Sequence, residues 1–203
     1  SLCPNGVATS SAIGSGEECP ANIAGCGHGT HVAGIAAGST VFLLDVGTLR
    51  GVAPEAQIIA AQVFSEVNDI GFCNAVPCVG SYTSDQILAL EHVLSLDQSE
   101  GGALDVASVN MSLGGGRYYG SCDEDTPALT SVINNLTDAG IAVVIASGND
   151  GYSDSVSFPS CISSAVATGS TTKQDAVSGF SNVASVLVDV LSLIHISEPT
   201  RHR

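Results

Sequence analysis

Three apolar runs, the first two separated by a helix-like segment, limit most strongly what this chain can fold into. LDVASVNM (104–111), IAVVIAS (141–147) and SAVATG (164–169) are each apolar on both faces rather than on alternate residues. Such runs mark strands covered above and below. A helix predicted from about Pro127 to Ala139, closed by Gly140, lies between the first two runs. Strand–helix–strand order of this kind implies parallel pairing, with helices laid over both faces of the sheet. The expected class is therefore α/β with a mainly parallel central sheet. No internal repeat or domain linker interrupts it.

The first half is less regular. Residues 1 to 27 are rich in Gly, Ser, Ala, Pro and Cys without a clear period, and read as loop. HGTHVAGIAAG (28–38) reads as a buried helix that starts with a histidine able to face a cleft and ends at Gly38. His31, on the same helix, reads as a buried packing histidine. VFLLD (41–45) is a short strand before a turn. GVAPEAQIIAAQVF (51–64) leads into a buried strand of Ile58, Ile59, Ala60, Ala61 and Val63. Residues 66 to 82 form an irregular, cysteine-bearing insertion. A helix follows from about Ser84 to Leu96, capped by Ser84 or Asp85, with Ile87, Leu88, Leu90, Val93 and Leu94 giving much of one face. His92 is a surface residue of that helix.

Charge excludes one class of partner. With 5 Lys and Arg against 20 Asp and Glu the formal charge is −15, which argues against nucleic-acid binding. No run of 18 apolar residues exists, so no membrane span is expected. Asp123, Glu124 and Asp125 are the densest acidic group, but three adjacent acids do not match alternating calcium ligands, and they read as a solvated turn. The seven cysteines, in a chain so poor in Lys and Arg, read as disulfides of an exported protein. Cys73 and Cys78 close a small loop around Pro77, and Cys122 pairs with Cys161 across the sheet. Cys3, Cys19 and Cys26 leave an odd number. No CxxC pair or His/Cys spacing suggests zinc, and no metal site is assigned.

Residues 191 to 203 break with what precedes them. LSLIHISEPTR (191–201) resembles the translation of a transposase-type sequencing-library adapter, with His202 and Arg203 as index bases. The native domain is accordingly expected over 1–190, with 191–203 set aside, and His195 is no ligand or catalytic candidate.

Four separated segments carry a family resemblance: HGTHVAGIAAG (28–38), GVAP (51–54), SVNMSLGGG (108–116) and ASGNDG (146–151). With FPSC, AVATGS and GFSN further on, in the same order, they resemble the subtilisin-like serine proteases over roughly residues 20 to 190. The resemblance implies a three-layer αβα sandwich, truncated at both ends, and a secreted serine endopeptidase using a Ser-His-Asp triad. It implies His28 as general base, whose imidazole suits proton transfer near neutral pH, and Asn149 as side-chain donor to the oxyanion. Ser112, Leu113 and Gly114 would pair through their main chain with an extended polypeptide substrate. Ala146, Ser147 and Gly148 would line the pocket for the residue before the cut, glycine leaving room for a large side chain. No cofactor is required; structural calcium is admitted but assigned to no residue, and the parent admits a propeptide.

The triad is incomplete. In this family the order is Asp, His, Ser. Residues 1 to 27 hold only Glu17 and Glu18 as acids, and Asp45 follows the histidine, so the aspartate is expected upstream of Ser1. No G-T-S-M-A-type turn exists; Gly169-Ser170-Thr171-Thr172 is the nearest imitation, followed by Lys173, Gln174 and Asp175 instead of a small, buried helix start. The fragment itself is thus expected to be inactive, aggregation-prone or molten. The alternative is a non-catalytic homologue of the same fold that acts as a binding protein.

Overall fold

The structure, a computed structural model, describes residues 6–7, 9–44, 47–73, 75–97 and 104–193. They fall into two compact units that divide between Gln86 and Ile87.

The first unit holds α1 (His28–Ala37), β1 (Val41–Leu43), β2 (Gly47–Leu49), β3 (Phe64–Val67), β4 (Cys78–Ser81) and the start of α2 (Thr83–Asp97). Its strands form two antiparallel pairs, β1 with β2 and β3 with β4. Several expectations change here. The helix at 28–37 forms as read, but none of its residues is buried, and His31 is exposed rather than packed. Its Gly and Ala side chains are too short to hold a cover by themselves. Ile58 and Ile59 are 48% and 41% exposed and lie in irregular chain. An apolar run becomes a strand only where a neighbour supplies hydrogen-bonding partners. The strand read at 41–45 ends at Leu43, and Asp45 lies outside the described residues. The insertion read as irregular between 66 and 82 is instead bounded by the paired strands β3 and β4. The Cys73–Cys78 disulfide closes the small loop around Pro77 as expected, and Cys19 pairs with Cys26. Cys3 lies outside the described residues.

The helix α2 begins at Thr83, ahead of both candidate caps, so Ser84 and Asp85 sit in its first turn. Leu90 and Val93 are buried, Ile87 and Leu94 partly so, whereas Leu88 and His92 face solvent.

The second unit adds β5 (Ser108–Met111), β6 (Gly115–Tyr118), α3 (Pro127–Asp138), β7 (Ala142–Ala146), β8 (Val156–Phe158), β9 (Val166–Thr171) and β10 (Val190–Leu193). β10, β9, β7 and β5 form one sheet in that order, and every pair is parallel. The parallel sheet was legible from its buried runs, although β5 starts four residues later than read. β10 takes in Leu191, Ser192 and Leu193, the first residues of the segment set aside in the sequence; the rest of that segment lies outside the described residues. β6 and β8 pair antiparallel beside it.

α3 carries the firmest helix signals. Pro127 occupies its first turn, where the missing N–H costs nothing. At the other end Gly140 takes φ 87°, Ile141 N–H donates to Leu136 O at 2.9 Å and Gly140 N–H to Thr137 O at 2.9 Å. That double bond is a Schellman stop. Leu129, Val132, Ile133 and Leu136 are buried along one stripe, in a core shared with Val143 and Ile145 of β7 and with Leu90 and Val93 of α2. Among the described residues no helix is long and apolar enough to cross a membrane.

Cys122 and Cys161 are bonded as expected, but they join two loops rather than crossing the sheet, with Cys122 N–H donating to Cys161 O at 3.1 Å. The acidic turn is also more than solvated. Asp123 accepts from the Ser163 N–H at 2.8 Å and the Ser163 hydroxyl at 2.7 Å. Those bonds hold its carboxyl below the usual carboxylate range. Glu124 and Asp125 remain exposed.

Candidate active site

His28 is the first residue of α1, preceded by Gly27 with φ 84°. A left-handed residue there turns the chain sharply into the helix. Thr30 anchors that turn, its hydroxyl donating to Glu18 at 2.9 Å. The far end is held by the GVAP segment: Gly51, Val52 and Ala53 N–H groups donate to Gly38, Ile35 and Ala36 carbonyls at 2.8, 2.9 and 2.8 Å. The last carbonyls of a helix need such partners, and a Cβ on Gly51 would collide with the Ala37–Gly38 backbone. The two sequence motifs are thus one structural piece. Partial desolvation, and then the charge of His31, pull the His28 imidazole below its ordinary value. A neutral ring is the form that can accept a proton. Among the described residues no group of three His, Cys, Asp or Glu side chains gathers as a metal site.

The other candidates belong to the second unit. β5 is an edge strand of the four-stranded sheet, and Ser112, Leu113 and Gly114 run off its end before β6 begins. Asn110 donates to the Ser112 hydroxyl at 2.9 Å. Leu113 packs on the core. Gly114 has a steric reason, since a Cβ there would stand 2.8 Å from Phe158 O.

Ala146 ends β7, and Ser147, Gly148 and Asn149 form the turn beyond it. The carboxyl end of a parallel sheet is where ligands of such folds bind. Asn149 is exposed; Ser147 is buried, its hydroxyl donating to Asn182 O at 2.7 Å. Gly148 has φ 115°, and the position its Cβ would take is filled by the Asn182 amide and the Ser157 hydroxyl. Glycine here is required by that close approach. Gly169–Thr171 lies inside β9, with the Ser170 hydroxyl buried 2.7 Å from that of Ser178. It is no nucleophile turn opening a helix.

Sequence reading missed two contributors. Asn182, in GFSN, is fully buried beneath the turn. Arg117 donates to Asp154 at 2.8 Å and to the Ser155 hydroxyl at 2.9 Å, and its guanidinium lies 4.1 Å from the centre of the Tyr152 ring. The GFSN resemblance was a signal for the first; nothing local marked the second.

A model of the subtilase family matches residues 15–193, and the chain belongs to that family. It is 31% identical over 166 residues to alkaline serine exoprotease A of Vibrio alginolyticus, covering 82% of this chain and 24% of that one. It is 33% identical over 156 residues to the minor extracellular protease Epr of Bacillus subtilis (strain 168), covering 76% and 19%. The extracellular serine proteinase of Thermus sp. (strain Rt41A) is 30% identical over 174 residues, covering 86% and 33%. The chain thus spans a fifth to a third of the length of these relatives. Among solved structures, the prenylagaramide maturation protease PagA superposes with a TM-score of 0.60 at 23% identity, covering 82% of this chain and 51% of that one. That likeness supports the subtilisin-like α/β fold.

Proposed function

We propose that this chain is the central part of a secreted subtilisin-like serine endopeptidase. His28 takes the proton of the attacking serine and returns it to the leaving amine; Asn149 donates to the oxyanion of the tetrahedral intermediate. Ser112–Gly114 receives an extended polypeptide along its main chain, and Ala146–Gly148 forms the floor beside the scissile bond. The observation that carries the reading is the Asn149 turn: an exposed amide directly beyond the carboxyl end of β7, on a rigidly bonded loop. The chemistry requires no metal or cofactor, and a propeptide is a further partner of the full-length protein.

The aspartate and the serine are not among residues 1–190 in the family's pattern, so the 203 residues alone are inactive. Fluorophosphonate labelling of the purified chain tests this: no serine is expected to react, and a labelled active-site serine overturns it. In the full-length protease, Asn149→Ala should lower kcat by about 10²–10³, a magnitude already measured on a subtilisin, with KM little changed. Undiminished kcat sinks the assignment.

A further inference from the structure

Asn182 directs all of its side-chain bonds but one, that to Ser157 of β8, at a single loop. Its Oδ1 accepts from the Asp150 and Tyr152 N–H groups at 3.0 and 3.1 Å. Its Nδ2 donates to Ser147 O at 3.1 Å, to the Ser157 hydroxyl at 3.2 Å and to Asp150 Oδ2 at 3.5 Å. Two backbone donors at one end and a carbonyl at the other fix which way the amide faces. The main chain adds four bonds: Asn182 N–H to Gly148 O at 3.0 Å, Ser147 Oγ–H to Asn182 O at 2.7 Å, Gly151 N–H to Phe180 O at 2.8 Å and Val183 N–H to Tyr152 O at 2.7 Å. The loop 147–152 is bonded on both sides of Asn149, and none of these bonds uses the Asn149 side chain.

We propose that Asn182 is a positioning residue for the oxyanion: it clamps residues 147–152 from beneath so that the Asn149 amide is presented at a fixed height and angle. The inference rests on Asn149 being the oxyanion donor. A donor stabilises the transition state only if it is already in place when charge develops, and a turn held only by its two ends would have to be ordered at that moment. Asparagine fits because the site needs an acceptor for two amides and a donor for a carbonyl within one short side chain. An apolar residue would leave those amides without their partner. Aspartate would set a second oxygen against Ser147 O.

The test compares Asn182→Ala, Asn149→Ala and the double substitution in the full-length protease. Asn182→Ala is expected to lower kcat 10- to 100-fold with KM within twofold, and to cost less than twofold more once Asn149 is already alanine. Amide exchange at Asp150 and Tyr152 should rise at least tenfold while Val143 and Ile145 of β7 keep their rates. Additive losses in the double substitution, unchanged exchange at the two amides, or a uniform rise across β7 overturns the proposal. If Asn182→Ala does not fold, Asn182→Asp, which keeps the acceptor but loses the donor, must give the same non-additivity. Unchanged kcat in Asn149→Ala would instead remove the oxyanion reading; the exchange rates would then still decide whether Asn182 is the clamp.

Discussion

At the scale of single residues, environment sets chemistry that residue type alone leaves open. His28 and His31 are three positions apart, and the His28 imidazole is drawn down by desolvation and by its neighbour's charge. Its titration midpoint should fall below the ordinary histidine value, and His31→Ala should raise it part of the way back; NMR titration of the ring protons decides this. The sign follows from linkage: with the folded value depressed, the folded state resists protonation, so stability is full above the unfolded value and is lost as pH falls through the folded one. A midpoint above the ordinary value would contradict the desolvation of the ring. Gly148 is the second case. With φ 115° and the Cβ position already occupied, Gly148→Ala should cost about 1–3 kcal/mol, read as a lower denaturation midpoint.

At the scale of elements, two helices of similar length behave differently. α3 buries a full stripe, whereas α1 buries nothing. Ile133→Ala should therefore cost about 2–5 kcal/mol, and Ile35→Ala in α1 well under 1 kcal/mol. Equal losses would mean that α1 is covered after all. The Cys122–Cys161 disulfide closes a loop with a sequence separation of 39, and replacing both cysteines by serine should cost about 2–4 kcal/mol on chain entropy. A melt unchanged by that replacement would show that the loop is held without it. α3 was legible because proline, apolar stripe and glycine stop all agree. Ile58–Val63 was misread because an apolar run says nothing about whether a partner strand lies alongside.

At the scale of the whole molecule, the core is unevenly shared. The second unit gathers Leu129, Ile133, Leu136, Val143 and Ile145 at full burial, whereas the first exposes Val41, Phe42, Leu43, Leu44 and Val52. Exposed apolar groups of this extent invite association. Amides of β7 and β9 are expected to exchange at least tenfold more slowly than those of β1–β4, and the chain to bind a hydrophobic dye before heating. Uniform protection and no dye binding would refute this.

The sequence by itself determined the family, the parallel sheet and the helix that begins at His28, and it marked Cys73, Cys78, Cys122 and Cys161 as disulfide candidates. These rest on local order and short-range pattern, which a linear chain displays. Only the tertiary structure decided that Gly148 answers to Asn182 and Ser157, that GVAP closes α1, and that Arg117 braces the chain after Tyr152. Each of these depends on atoms brought together from distant parts of the chain, where spacing along the sequence carries no information about distance in space.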